Sequence, residues 1–214
     1  MKKIRTGVEK IGEDRGMVSS GFSFELRRAE PSAQVRARDR VHWWTGEVGN
    51  LGAVELAYPA REVVPPADQA LYVGTAVRGD SIPPATFRGL GYTVQPRLAR
   101  GLLTIAGQTA ALSRSTLSTD KRSRGLRISA LGREYTYVEE QNKRHHALER
   151  DGVRVTMTRS SWKNPRTITG TTAGATDSVD LSLAILFEGV YTRNLSLRGA
   201  MISAPGRVFS RIGS

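Results

Sequence analysis

The 214-residue chain has no cysteine, which excludes disulfides, thiol chemistry and thiolate metal sites. Aromatic residues make up 7% of it, and they are not interleaved with arginine as a base-stacking platform requires. Histidine is equally scarce. His42 stands alone, while His145 and His146 are neighbours whose rings leave a strand on opposite faces and cannot share a metal ion. Long apolar runs are missing too: the most apolar stretch, Leu181 to Val190, is interrupted by Glu188 and falls short of the ~20 residues a spanning helix needs. The first residues, MKKIRTGVEKIGEDRG, carry charges of both signs and no apolar segment. No secretory signal is therefore expected, and a cytoplasmic location follows by default.

Acidic residues are outnumbered. There are 20 against 32 basic ones, giving a formal net charge of +12 and an isoelectric point near 10.7. Such a field draws nucleic acid or an anionic membrane surface, and it also keeps a protein from self-associating without any partner. The excess is local, because residues 121–176 hold 12 basic and 5 acidic side chains. Arginine supplies 26 of the 32, which reads mainly as codon bias.

No arrangement marks a catalytic centre. Ser118 to Lys121 and Ser160 to Lys163 both read S-x-x-K, but that spacing presents the lysine to the serine only on a helix, and both lie among strands and turns. The carboxylate pairs Glu13-Asp14 and Glu139-Glu140 are adjacent in sequence and read as solvated turn charges. Gly89-Leu90-Gly91 and Gly170 to Gly174 read as turns, since neither completes a phosphate-cradling fingerprint between a strand and a helix. No catalytic residue, cofactor or metal is expected, and the chain is read as a non-enzyme, an enzyme with a dispersed site being a remaining alternative.

What the sequence does contain is strand periodicity. Phe22, Phe24 and Leu26 alternate with Ser23 and Glu25 within 17–28, the period of a half-buried strand. Residues 102–117, 125–131, 134–139, 145–149 and 153–159 each suit a strand, with turn residues between them, Asp151-Gly152 being the clearest hairpin signal. Val153, Val155 and Met157 face one way and Arg154, Thr156 and Thr158 the other. Leu126, Ile128 and Ala130 likewise oppose Arg127 and Ser129. From 41 to 97 the runs VHWW (41–44) and VELAY (54–58) look like short strands, and Pro59, Pro65-Pro66, Pro83-Pro84 and Pro96 punctuate the rest; this predicts loops and short edge strands there, with an irregular Pro/Gly-rich stretch at about 57–97. The period then changes. Asp177 can cap a helix whose Leu181, Leu183, Ala184, Ile185, Leu186, Phe187 and Val190 cover nearly its whole circumference, so protein must enclose it. One mainly β domain over 1–214 is predicted, an antiparallel meander closed into a barrel around a helix at about 177–191, with a peripheral tail over 194–214.

This layout resembles the tubby C-terminal-like fold, shared by tubby proteins, LURP-one-related proteins and phospholipid scramblases. The meander 102–159 and the stretch from Gly170 through Asp177 and Asp180 to Val190 carry the resemblance, about 90 residues of the chain. It implies a closed barrel wrapped around an apolar helix, acting as a module that touches anionic lipid through basic surface residues. It carries over no binding motif residue by residue, so candidate sites rest on charge alone.

By charge, the first candidates for an anionic ligand are Lys121, Arg122, Arg124 and Arg127, in the connection into strand 125–131, and Lys143 and Arg144 at another turn. Groups near an anionic leaflet contribute about 1 kcal/mol each. One ring of Trp43-Trp44 belongs in the core, its neighbour on the opposite face. The favoured partner is anionic membrane lipid, bound peripherally at the inner membrane face. The rival is nucleic acid, or a structural role in a phage or other particle. Oligomeric state is not read from these patterns.

Overall fold

The computed structural model describes residues 21–30, 41–114 and 125–192. Among them run β1 (Ser23–Arg28), β2 (His42–Glu47), β3 (Ala53–Tyr58), β4 (Tyr72–Gly79), β5 (Ala85–Tyr92), β6 (Gln95–Pro96), β7 (Leu102–Ile105), β8 (Gln108–Arg114), β9 (Leu126–Ala130), β10 (Arg133–Glu139), β11 (His145–Arg150), β12 (Val153–Arg159), β13 (Thr167–Gly174) and the helix α1 (Ser178–Glu188). Every strand pairs antiparallel with its neighbours. β1 pairs with β13 and β4 with β5, so twelve strands close into a ring and the two-residue β6 hangs from β5. The predicted antiparallel barrel with one enclosed helix is the observed fold, and it has the general tubby-like layout that the sequence suggested.

Side chains fill a barrel of about eight strands, and the bore widens with strand number. A twelve-stranded ring therefore needs a filler, and a helix of about 10 Å diameter is one. Leu181, Leu183, Ala184, Ile185, Leu186 and Phe187 are all at most 1% exposed and join a single core with the inward residues of the wall. Alternation does the sorting: β9 reads Leu126, Ile128 and Ala130 inward and Arg127 and Ser129 outward. In β12, Val153, Val155 and Met157 are buried between half-buried Arg154, Thr156 and Thr158.

Three expectations need correction. In the stretch 41–97 the two runs read as short strands are β2 and β3, but they lie within the closed wall and not at an edge, and β4 and β5, eight residues each, stand where loops were expected. The prolines misled because they interrupt the sequence pattern, yet Pro59, Pro65-Pro66 and Pro83-Pro84 sit in the connections between strands. The single strand read over 102–117 is a hairpin, β7 and β8, turned at Ala106-Gly107. Both central residues have positive φ there, as they do at Leu131-Gly132, the type I′ geometry whose twist matches a hairpin. Finally, the glycine-bearing stretches read as turns are strand: Gly89 and Gly91 lie in β5, and Gly170 to Gly174 in β13. Gly170 is glycine because the Phe24 ring of β1 occupies the place of a Cβ, 2.1 Å from where that atom would lie. The predicted tail 194–214 lies outside the described residues.

The meander gives the barrel two unlike ends. At the end where α1 begins, the hairpins β7–β8, β9–β10 and β11–β12 turn tightly. At the end where α1 finishes, longer connections leave β1, β3, β5, β8, β10 and β12. The latter is the open end.

Candidate functional site

Each end of α1 is fixed to the wall by charge. At its start Asp177 accepts hydrogen bonds from the backbone of Val179 (3.0 Å) and Asp180 (3.2 Å), while the Asp180 carboxylate accepts one from the Asp177 backbone at 2.9 Å. This capping box satisfies orphan N–H groups of the first turn. Arg150 of β11 holds the fully buried Asp180 in a fork, Nε to Oδ1 at 2.7 Å and Nη2 to Oδ2 at 2.9 Å. Arg133 of β10 pairs with Asp177 at 2.5 Å. Burial pushes the Asp177 carboxyl up, but the hydrogen bond and charge of Arg133 and the backbone N–H donors of Asp180 and Val179 together outweigh it, so its pKa is lowered.

The other end of α1 carries a second buried set. Glu188, at the last helical position, is 1% exposed. Its Oε1 accepts from Tyr137 Oη of β10 at 3.1 Å and from His146 Nδ1 of β11 at 3.0 Å. Arg159 of β12 donates from Nε to Oε2 and from Nη2 to the Glu188 backbone carbonyl at 3.0 Å. Burial alone raises the Glu188 pKa, but the charge of Arg159, then the charge and hydrogen bond of His146, hold it down to about 2. Desolvation and the Glu188 charge together raise the Tyr137 pKa well above its ordinary value, which keeps the phenol protonated and donating. A carboxylate oxygen only accepts, so His146 Nδ1 carries the hydrogen and the other ring nitrogen, Nε2, is left over.

Above this set, at the open end, lies a cavity of about 430 Å³, within the range of small-molecule sites. His146 and Arg159 line it. Among the described residues neither His146 Nε2 nor Arg159 Nη1 bonds a protein group. Tyr92, Tyr191 and Trp162 supply aromatic walls, the two tyrosine rings 4.1 Å apart between centroids. Lys143 and Lys163 complete the lining, their ammonium groups 4.2 and 5.5 Å from the Trp162 ring centre. Among the described residues neither lysine is paired with a carboxylate. Among the described residues Glu139 is the one carboxylate of the lining.

No family model matches the chain, and no curated protein or solved structure matches it either. The site therefore rests on its own geometry.

Of the residues proposed from charge, Lys143 lines this cavity. Arg144 beside it is engaged, donating from Nε to the Arg159 carbonyl at 2.8 Å. Arg127 is exposed on the outer face of β9 and is not part of the lining. Lys121, Arg122 and Arg124 lie outside the described residues. The S-x-x-K pair at Ser160 and Lys163 is not a nucleophile and its base: Ser160 Oγ accepts from the backbone of Arg166 (2.9 Å) and Thr167 (3.1 Å), while Lys163 faces Trp162. Ser118 lies outside the described residues. His145 and His146 do separate as the strand requires, His145 reaching Thr158 Oγ1 at 3.2 Å. Among the described residues no group of three or more histidines or carboxylates is placed to hold a metal.

Charge alone did not find His146, Arg159 or Glu188. Phase would have: Arg159 continues Val153, Val155 and Met157 on the inward face of β12, and Glu188 stands within an all-apolar helix. An inward arginine and an inward glutamate are costly to bury unless they meet.

Proposed function

We propose that the chain is a non-enzymatic, tubby-like barrel module that binds the phosphorylated headgroup of an anionic lipid in the open-end cavity. One observation carries the reading: Lys143, Lys163, Arg159 and His146 line one cavity of about 430 Å³, and among the described residues the two lysines have no carboxylate partner while Arg159 Nη1 and His146 Nε2 bond no protein group. A phosphate needs several donors at once, and charge-assisted bonds of this kind are the strong ones. Glu188 consumes one edge of Arg159 and one nitrogen of His146, and so aims what remains of each. His146 Nε2 accepts from a headgroup hydroxyl or, when protonated, donates to the phosphate. The aromatic walls suit a ring or glycerol backbone behind the charge.

Vesicle flotation tests this. Wild type should float with vesicles containing phosphatidic acid or a phosphorylated inositol lipid and not with neutral phosphatidylcholine, less so at high salt. K143A/K163A should bind on the order of 10- to 30-fold more weakly, the loss of two contributions of about 1 kcal/mol. Equal flotation of the two proteins would remove the cavity from the account. Capture by duplex DNA in place of vesicles would favour the nucleic-acid alternative.

A further inference from the structure

We infer that the barrel docks end-on, with its open end pressed against an anionic bilayer and its tight end pointing away. The inference rests on the headgroup reading and adds an orientation and an apolar contact to it. Five large hydrophobic side chains of the described residues are exposed: Trp43, Leu71, Tyr92, Leu102 and Trp162, Leu71 by 70% and the others by a little over a third. The meander puts all five at the open end. Trp43 pairs with Ala57 near the end of β3, and Leu71 immediately precedes β4. Tyr92 closes β5, Leu102 opens β7, and Trp162 lies in the connection from β12 to β13.

Charge is divided the same way. In and beside the open-end connections Arg27, Arg100, Arg127, Arg144, Lys163 and Arg166 are exposed, joined by the cavity's Lys143, and they outnumber the exposed Glu30 and Glu62 there. At the tight end the exposed Glu47, Asp80, Glu134 and Asp151 stand in or beside the turns, against one exposed arginine among the described residues there, Arg78. A molecule with a cationic end and an acidic end turns its cationic end to an anionic leaflet. Trp and Tyr with an apolar body and a polar tip settle at the headgroup level, and Leu71 reaches beyond it. Scattered exposed apolar residues need no explanation. Their gathering at the one end that is also cationic and holds the cavity does, and a lipid surface matches both properties.

The absence of native cysteine makes the test direct. L71C and L102C at the open end, and D80C and D151C at the tight end, are each labelled with an environment-sensitive fluorophore and mixed with phosphatidic acid vesicles. Emission should shift to the blue, with protection from an aqueous quencher, for L71C and L102C and not for D80C or D151C. Protein that floats while its open-end labels stay in water, or while its tight-end labels shift, would overturn end-on docking and leave the headgroup reading standing. Failure of all four to float would sink both. Open-end labels already shielded before vesicles are added would mean that the chain covers its own rim, which also overturns the docking.

Discussion

Arg159 and Glu188 meet inside the open end of the barrel, the guanidinium of β12 holding both the side chain and the backbone carbonyl of the last helical residue. The wall thus grips the helix where its hydrogen-bonding ladder runs out of donors. Burial works against the guanidinium's charge, but Glu188 raises the Arg159 pKa overall, so the two charges are partners by necessity.

Removing one partner should cost more than removing both. Glu188→Leu leaves a buried arginine without its anion, which costs roughly 3–5 kcal/mol. Pairing it with Arg159→Met should recover much of that, because an apolar pair of similar volume is often as good as a buried ion pair. Urea unfolding of the two single variants and the double variant measures the coupling; additive losses would contradict a dependent pair.

Acid should loosen this end of the helix first. Glu188 has its folded pKa depressed, from 4.5 to about 2, so its stabilisation is present above the unfolded value and is lost as pH falls through the folded one. Stability of the wild type should therefore decline between about pH 4.5 and pH 2 more steeply than that of Glu188→Leu/Arg159→Met. Thermal unfolding across that window reads it, and parallel curves would deny Glu188 the role.

The helix is the barrel's filling, so hollowing it should be severe. Ile185→Ala, at a fully buried position, should cost about 2–5 kcal/mol. Gly170→Val should be worse than a usual strand substitution, because the Phe24 ring already fills the Cβ position. Gly107→Ala, where a Cβ meets nothing but φ is +77°, should lose only about 1 kcal/mol from the left-handed turn. Equilibrium unfolding ranks the three.

The lysines at the cavity should matter to binding and hardly to folding. K143A/K163A loses two cation–π contacts with the partly exposed Trp162, about 0.5–1 kcal/mol each. Its melting temperature should stay within a few degrees of wild type while headgroup binding falls. A large drop in melting temperature would make any binding loss uninformative about contact and contradict the division of roles.

The sequence spoke most clearly where one rule acted alone. The all-round apolar helix behind Asp177 and the alternating strands of 125–159 were legible because burial on one or all faces leaves a period. Residues 59–97, which hold β4 and β5, were misread because proline density masks strands whose prolines sit between them, and β13 because Gly170 replaces a side chain with room for Phe24. At the site, Lys143 was visible as surface charge. His146, Arg159 and Glu188 were not, since reading charge as outward hides the few charged groups that face in; only their phase on β11, β12 and α1 betrays them.

The most direct measurement is calorimetric titration of a soluble phosphorylated headgroup, glycerol 3-phosphate or an inositol phosphate, into wild type and into K143A/K163A, with no membrane present. The cavity account predicts saturable one-to-one binding by the wild type that weakens about 10-fold or more in the variant. Heats that do not saturate, or equal binding by both proteins, would contradict it.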